Sequence, residues 1–518
     1  MDERHKAHKW MVTVTVMTGT IMAALDISIV NVALPHMRGS LGASVEEITW
    51  VATGYLLSTV IIMPIIGLLS SRFGRKRFYI LSVLLFTGAS MLCGIAWDLT
   101  SIVVFRIIQG MGGGTLIPMS QALLRETFPH DEQGMAMGIY GLGTILGPAF
   151  GPTLGGWLTD SYSWRWIFYI NVPVGVLNIL LIMQFIKDPP YLVRERGKLD
   201  FAGLFFMSVG LGALQIMLER GEREAWFESD LIRILLFVSL TAIILFIWRE
   251  LTCEKPAVDL RMLKDVNFAS GSLIGGLLGI GLYGSLFLLP MFLQQLLGYP
   301  ALDSGITLMP RSLAMAIAMP LGGRFYNKVG PRFLIGSGLL VTALSFYQLS
   351  LLSLGVGYMD IIIPQFLQGV GFGLIFVALS TAALSTIERQ SMTAAAGLYN
   401  VVRQVFASIG IAIAASQLTK AMTSYHALLA EKVTEYSEAG SGWLGTVTGG
   451  MQGQGVDASS ARQMALSLLD NEVSRQAGMM AYNHLYVLFT VLFIISLPFI
   501  FLLNSNKKRE GAEEIIAE

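Results

Sequence analysis

The chain has 518 residues, of which 54% are hydrophobic and only 14% are charged. Soluble proteins usually carry about 25% charged residues, so this composition excludes an ordinary soluble enzyme and a disordered chain. Lys and Arg together number 35, as do Asp and Glu, and this balance argues against a nucleic-acid partner. Two cysteines are too few for a disulfide framework or a cysteine-rich metal site.

Apolar segments of membrane-spanning length follow one another along the chain. The first, Trp10 to Leu34, follows a basic N-terminus and is too long for the apolar part of a signal peptide. A spanning helix needs about 20 mostly apolar residues, and this criterion predicts about fourteen helices in an all-α polytopic membrane protein. The later predicted segments are 48–69, 78–96, 99–123, 135–158, 166–186, 200–218, 231–249, 268–289, 303–325, 333–354, 360–384, 396–417 and 482–503.

Basic residues cluster in alternate loops of this arrangement. The clusters are Arg72–Arg77, Arg194–Lys198, Arg261–Lys264, Arg324–Arg332 and Lys507–Arg509. Cytoplasmic loops carry an excess of Lys and Arg. The even number of helices places both termini on the same side, so the sequence predicts that both termini are cytoplasmic.

A long polar segment, 420–480, faces the opposite side in this arrangement. It contains a glycine-rich stretch, 440–455, and then an amphipathic pattern from Ala458 to Gln476, for which Asp457, Ser459 and Ser460 are candidate N-caps. The segment is either a surface cap or a docking element for a partner, because loops of this length are often functional.

The two halves of the sequence repeat. Gln109–Gly114 matches Gln368–Gly373 at an offset of 259 residues, and the same offset relates Tyr140 to Tyr399. A repeat with the same orientation in both halves predicts two parallel helical bundles with a substrate site between them.

The repeat also predicts the domain organisation. Residues 1–190 form an N-terminal six-helix bundle, and residues 263–518 form a C-terminal six-helix bundle that includes the outer loop. Residues 191–262 lack a counterpart, so they are predicted to be a linker with two inserted membrane helices.

Four ionisable residues lie inside the predicted helices: Asp26, Arg106, Arg311 and Arg403. Intramembrane charges are costly and are candidates for function. Asp26 and Arg106 both fall in the outer half of the bilayer and can face each other. They form either a structural ion pair that fixes packing or a protonation switch.

Uncharged polar residues form a second group of candidates. Those predicted to line a central cavity and bind substrate, together with Arg403, are Asn31, Gln109, Gln365, Gln368, Asn400 and Gln404. The alternative is that these side chains form hydrogen bonds between helices.

One predicted helix has a row of small residues. Gly143, Gly147, Gly151 and Gly155 recur at every fourth position, and Pro148 and Pro152 stand among them. Such a row allows a neighbouring helix to approach closely, and proline can kink the helix. The row either serves close packing alone or adds a flexible seal between conformations.

The sequence contains no phosphate-binding loop of the form GxxxxGK[ST]. Active transport by this chain would therefore use an ion gradient. The six histidines suggest no metal cluster, and neither a cofactor nor a catalytic group is predicted.

Several motifs resemble one family in order along the chain. They are Leu25–Pro35, Gly67–Lys76, Phe105–Gly110, Gly143–Gly156, Trp164–Phe168 and Asn171–Pro173. This set resembles the major facilitator superfamily, and most closely its fourteen-helix drug:proton antiporters of the EmrB/QacA type.

The resemblance also assigns a conformational role to some residues. Gly67, Arg72, Gly74 and Arg75 match the superfamily's loop motif. That motif usually has an acid where this chain has Ser71, which puts a charge latch at this loop in doubt.

The resemblance implies proton-driven efflux of hydrophobic or amphipathic drugs across the bacterial inner membrane by alternating access. Asp26 and Arg106 would carry the proton step. A periplasmic adaptor and an outer-membrane channel would complete a tripartite system. Two alternatives stay open: a dedicated exporter of one metabolite, fatty acid or siderophore, and a non-transporting membrane receptor or scaffold.

Overall fold

The computed structural model describes residues 3–189, 200–253, 256–433 and 437–503, and every regular element in these ranges is a helix. The N-terminal helices are α1 (Glu3–Leu41), α2 (Val45–Phe73), α3 (Arg75–Gly94), α4 (Leu99–Thr127), α5 (Gln133–Ser161) and α6 (Trp166–Phe185). The middle helices are α7 (Phe201–Arg220) and α8 (Asp230–Thr252). The C-terminal helices are α9 (Val266–Leu296), α10 (Ala301–Val329), α11 (Pro331–Leu349), α12 (Tyr358–Ala383), α13 (Met392–Lys432), α14 (Glu438–Gly453) and α15 (Ala458–Ser496).

Twelve helices in the described ranges are long and apolar enough to cross a membrane. Two further helices, α5 and α10, have 29 residues each and correspond to the predicted spans at 135–158 and 303–325. They are less apolar, because α5 is rich in glycine and α10 carries charges such as Arg311. The predicted number of about fourteen spans is therefore not confirmed, although α5 packs along α1 and α10 packs along α12.

Helix packing follows the repeat in the sequence. In the first half, α1 packs on α5, and α2 and α3 flank α4. In the second half, α9 packs on α13 in the same way, and α10 and α11 flank α12. α7 and α8 pack together, and α7 also contacts α2 and α13. The division of the chain at residues 190 and 262 stays a prediction, since residues 190–199 lie outside the described ranges.

The same tight turn occurs once in each half. Gly74 lies between α2 and α3 with φ of 86°, and Gly330 lies between α10 and α11 with φ of 89°. An L-residue with a side chain rarely adopts this left-handed region, so glycine is required at both turns. The described basic clusters Arg72–Arg77 and Arg324–Arg332 lie at these two turns, and we call this end of the bundle the basic face. The clusters at Arg194–Lys198 and Lys507–Arg509 lie outside the described residues.

The end of the bundle opposite the basic face carries a long helical hairpin. α13 has 41 residues and α15 has 39, so each is about 60 Å long at 1.5 Å per residue. The hydrocarbon core is about 30 Å thick, and both helices therefore extend well beyond it. His426 on α13 and Asp470 on α15 approach to 3.0 Å in this extension, and α14 packs against α15.

The amphipathic pattern from Ala458 to Gln476 is not a separate surface helix. It is the first half of α15, which continues without a break into the membrane-spanning segment. Asp457 is its N-cap, as the sequence predicts, and accepts hydrogen bonds from the backbone N–H groups of Ser459 and Ser460 at 2.9 and 3.0 Å. Hydrogen bonds from Ser460 and Ser459 hold the pKa of Asp457 below its usual range.

We predict that the basic face is cytoplasmic. Reporter fusions at residues 195 and 450 should then report opposite sides of the membrane, because Lys and Arg are retained on the cytoplasmic side. The measurement is the activity of a cytoplasm-dependent and a periplasm-dependent reporter at each position. Signals from the same side at both positions would contradict this topology.

Candidate functional site

A buried polar network surrounds Asp26 in the middle of α1. Arg106 on α4 donates from Nη1 to Asp26 Oδ2 at 2.5 Å. Gln109, one turn further along α4, donates from Nε2 to Asp26 Oδ1 at 2.8 Å, and Asn171 on α6 donates to the same oxygen at 3.1 Å. Asp26 and Arg106 are each only 1% exposed. Two helices, α4 and α6, thus direct side-chain donors at one carboxylate on a third helix, α1.

Further contacts hold the donors of this network in place. Arg106 Nε donates to the carbonyl oxygen of Val51 at 3.1 Å, and its guanidinium carbon lies 4.2 Å from the ring centroid of Tyr55. Asn171 also donates to Ser90 Oγ at 3.0 Å. Buried ionic groups are stable only when both charges and the remaining hydrogen-bonding atoms have partners. The network meets this condition while Asp26 is ionised.

The glycine row of α5 lies directly on α1. A β-carbon added at Gly147 would lie 2.3 Å from the carbonyl carbon of Ala24, and one added at Gly151 would lie 2.5 Å from Ser28 Oγ. These two contacts lie on either side of Asp26 along α1. α5 continues as one helix through Pro148 and Pro152, so its glycine face and the Asp26 helix form one close-packed unit.

The row continues at both ends of this contact. A β-carbon at Gly143 would lie 2.6 Å from Met17 Cε, and one at Gly155 would lie 3.0 Å from the carbonyl oxygen of Ile29. Helix–helix approach of this kind depends on the absence of side chains.

The C-terminal half contains a second buried polar cluster, around Arg311 on α10. Arg311 Nη1 donates to Ser285 Oγ at 3.2 Å and to Gln368 Oε1 at 3.3 Å. Gln365 is fully buried, and neither of its side-chain polar atoms has a hydrogen-bond partner. By the repeat offset of 259 residues, Ser285 corresponds to Asp26 and Gln365 corresponds to Arg106.

A cavity of about 80 Å³ lies between the two halves. Arg311 and Arg403 both line it, next to Thr144 and Pro148 from α5. The other lining residues are largely apolar and include Leu278, Leu282, Leu286, Met315, Met319 and Phe376. Arg403 lies over the ring of Phe376, with 5.1 Å between its guanidinium carbon and the ring centroid. The cavity combines two cations with apolar walls.

The remaining predicted binding residues lie in different surroundings. Asn400 is buried and donates to Gln121 Oε1 on α4 at 2.6 Å, which joins the two halves. Gln404 is half-buried beside the cavity residue Arg403, and Asn31 is exposed on α1. Of the predicted group, the structure brings Gln109 to Asp26 and Gln368 to Arg311. Gln365 is buried one turn before Gln368 on α12.

The two halves touch at the basic face. Arg75 is buried, pairs with Glu126 at the end of α4, and donates to the carbonyl oxygen of Arg389 at 3.1 Å. Arg125 Nη1 donates to the carbonyl oxygen of Thr381 at 2.7 Å.

Small residues close this side further. A β-carbon at Gly67 would lie 2.3 Å from Ala394 Cβ, and one at Gly134 would lie 2.5 Å from the carbonyl oxygen of Gly323. Together with the arginine contacts, this packing describes a conformation that is closed at the basic face.

Two loop-motif residues stand apart from the buried pair. Arg72 is exposed, and Ser71 Oγ donates to the carbonyl oxygen of Leu68 within its own helix. Arg75 forms an ion pair with Glu126 near this loop, and Ser71 contributes no acid to that pair.

Sequence reasoning missed several residues of these clusters. Among them are Asn171, Ser285, Glu126, Gln121 and Arg125. Asn171 stands in a quoted motif, and Ser285 is found by adding the repeat offset to Asp26. Glu126 and Gln121 carry no signal in the sequence, because their partners lie in distant segments. Within the described residues, no group of His, Cys, Asp and Glu is arranged to hold a metal ion.

Two matched helical halves, a buried carboxylate and a cavity between the halves define a polytopic membrane transporter. The chain belongs to the Major Facilitator Superfamily, whose sequence profile matches residues 16–411. It is 34% identical over 492 residues to the fatty acid resistance protein FarB of Neisseria gonorrhoeae, with 95% of each chain covered. It is 33% identical over 488 residues to the multidrug export protein EmrB of Escherichia coli K12, with 94% of each chain covered.

Solved structures support the same fold. The human organic anion transporter MFSD10 matches with a TM-score of 0.62 at 14% identity, over 95% of this chain and 99% of that one. The proton:xylose symporter XylE matches with a TM-score of 0.62 at 13% identity, over 96% of both chains. The predicted family and fold are confirmed.

The contact between α5 and α1 leads to a testable prediction. Gly147→Ala should destabilise the protein, because the added methyl group meets the backbone of Ala24. Overpacking of this kind costs about 1–3 kcal/mol. The measurement is thermal unfolding of the purified protein in detergent.

Gly156→Ala is the matched control on the same helix, since a β-carbon there has nothing within 4 Å. Its melting temperature should equal that of the wild type or exceed it. Equal melting temperatures for Gly147→Ala and the wild type would contradict the close contact.

Proposed function

We propose that this protein is a proton-driven exporter of hydrophobic or amphipathic compounds in a bacterial inner membrane, with both termini in the cytoplasm. The observation that carries the proposal is the Asp26 network: a carboxylate buried within a membrane bundle and shared by three helices. Ionisable groups at such positions are characteristic of proton pathways in pumps and transporters.

Asp26 is the proton-carrying group in this mechanism. As a carboxylate it accepts hydrogen bonds from Arg106, Gln109 and Asn171. Protonation removes its charge and adds a donor that faces other donors. Arg106 then loses its carboxylate partner, and the three helices favour a different arrangement. Proton binding is thereby linked to conformation.

The glycine face of α5 carries this change to the interface between the halves. α5 contacts the backbone of α1 on either side of Asp26 and also packs against α10 of the other half. A displacement of α1 therefore moves a helix that borders the central cavity through Thr144 and Pro148. Alternating access results when the basic face opens as the opposite face closes.

The central cavity is the proposed substrate site. Its apolar walls suit hydrophobic and amphipathic compounds. The names of the relatives agree with this class of substrate: multidrug export for EmrB of Escherichia coli and fatty acid resistance for FarB of Neisseria gonorrhoeae.

The hairpin of α13 and α15, together with α14, which lies between them in the chain and packs against α15, is the proposed docking element for a periplasmic adaptor, which would lead to an outer-membrane channel. Both helices extend past the hydrocarbon core, and the exposed residues Met464 and Leu468 lie on the extended part of α15. Exposed apolar side chains outside the bilayer commonly mark a contact with another protein.

The proton step is tested with Asp26→Asn. This variant keeps the size of the side chain, resembles the protonated acid in having one acceptor and one donor group, and removes the titration. We expect uphill export in proteoliposomes with an imposed proton gradient to be lost, while exchange of substrate down its own gradient continues. Asp303→Asn, at an exposed position on α10, is the control and should export at the wild-type rate.

Wild-type uphill export by Asp26→Asn would remove Asp26 from the proton step. Absence of substrate flux in the wild type under every gradient would instead favour a receptor or scaffold. An uncoupler should abolish uphill export by the wild type.

The docking element is tested by replacing α14, residues 438–453, with a short Gly-Ser linker. α13 and α15 stay intact, so transport by reconstituted vesicles should persist. Export from whole cells with two membranes should fall, because substrate released without an adaptor returns from the periplasm. Loss of vesicle transport would show that α14 serves the transporter itself, and unchanged cellular export would exclude α14 from docking.

A further inference from the structure

The two halves of the protein carry different buried charges at equivalent positions. Asp26 and Arg106 of the first half correspond to Ser285 and Gln365 of the second. The second half instead places Arg311 beside Ser285. The first cluster has no net charge, because Asp26 forms an ion pair with Arg106. The second cluster has a net positive charge from Arg311.

Arg311 has no carboxylate partner among the described residues. It is 3% exposed, and its hydrogen bonds reach the neutral oxygens of Ser285 and Gln368. A buried charge without a counter-charge is costly in a low-dielectric environment. An anion at this position would lower that cost.

Unpartnered hydrogen-bond donors lie in the same cluster. Gln368 Nε2 and the hydroxyl of Tyr486 are buried without hydrogen-bond partners. Both polar atoms of Gln365, one turn before Gln368 on α12, are also unpartnered. Buried polar groups in native proteins are almost always hydrogen-bonded, so a group of exceptions calls for an explanation. A carboxylate only accepts hydrogen bonds and has about four acceptor sites, which complements these donors and the guanidinium.

The cavity beside Arg311 adds a second cation and an apolar surface. Arg403 lines the same cavity, together with Leu282, Leu286 and Met315. The described contacts of Arg403 are with aromatic side chains, including the ring of Phe376. A volume of about 80 Å³ accommodates a carboxylate group with a few methylene groups. A longer apolar chain needs the halves to separate.

We infer that the second half contains the anion-recognition part of the substrate site, in which Arg311 and Arg403 bind the carboxylate of an amphipathic monoanion. The direction of transport rests on the proposed function, but binding does not, so the two are tested separately. The second half has Ser285 where the first half has Asp26, so Arg311 lacks an internal carboxylate there. The carboxylate of the substrate takes that place, and the site therefore selects anions.

The first experiment measures binding at equilibrium, without any proton gradient. The purified protein in neutral detergent is titrated calorimetrically at neutral pH with octanoate, octyltrimethylammonium or acetate. Octanoate should bind, and the cation and acetate should bind at least about tenfold more weakly. Equal binding of the cation would overturn the charge assignment, and equal binding of acetate would overturn the amphipathic class.

Arg311→Gln should weaken octanoate binding about tenfold or more, since a hydrogen bond to a charged group contributes about 1.5–3 kcal/mol. Arg403→Gln should weaken it in the same direction. Arg324→Gln, an exposed position on the same helix as Arg311, removes the same charge and should bind octanoate as the wild type does. Unchanged binding in Arg311→Gln would overturn the inference.

Ser285→Asp tests the site without removing Arg311. It introduces the carboxylate that the equivalent position of the first half already has, 3.2 Å from Arg311 Nη1 in the present side-chain position. We expect the melting temperature to rise and octanoate binding to fall at least about tenfold, because the new acid occupies the site. Ser285→Asn is the neutral control and should retain binding. Unchanged octanoate binding in Ser285→Asp would overturn the inference.

These results separate the two proposals. Octanoate binding that depends on Arg311, combined with wild-type protein that cannot move substrate uphill, would support the anion site and contradict proton-driven export. Uphill export that depends on Asp26, without octanoate binding, would support proton-driven export and contradict the anion site.

Discussion

A carboxylate in the middle of a membrane helix needs a counter-charge and further donors, and the packing of the first half depends on this requirement. Asp26 receives Arg106 and Gln109 from α4 and Asn171 from α6. The three helices are therefore fixed relative to one another by one charged group. In the proposed mechanism, protonation of Asp26 disturbs this arrangement, because a neutral acid no longer balances Arg106. The network that stabilises the packing is then also the proposed switch.

Small residues let that network act at a distance. The glycine row of α5 brings its backbone against α1 beside Asp26, and Gly134 brings α5 against Gly323 on α10. Contacts between backbones leave little room for side chains to absorb a displacement. In the proposed mechanism, a movement of α1 is therefore transmitted to the border between the halves. Hydrogen bonds from Arg75 to the carbonyl oxygen of Arg389 and from Arg125 to that of Thr381 close the basic face in the present conformation.

The two halves keep the same helix packing but differ in charge. The repeat preserves glutamine at Gln109 and Gln368, whereas aspartate is matched by Ser285 and Arg106 is matched by Gln365. The buried charges of the first cluster thereby balance each other. In the second cluster, Arg311 lies near buried hydrogen-bond donors that have no partner. Under the two proposals made above, this division assigns the proton step to the first half and anion recognition to the second, whose Arg311 lines the cavity between the halves.

The sequence by itself determined the fold class, because apolar segments of spanning length, the repeat and the family motifs are all local patterns. It also singled out Asp26 and Arg106, since charges within apolar segments stand out without any structure. Tertiary structure alone decided which groups meet. Asn171 is 145 residues from Asp26 in sequence, and Arg311 reaches Ser285 from another helix. The tertiary structure also showed that residues 458–476 and the last spanning segment form one continuous helix. The sequence did not reveal this, because an amphipathic pattern identifies the apolar face of a helix but not the residue at which the helix ends.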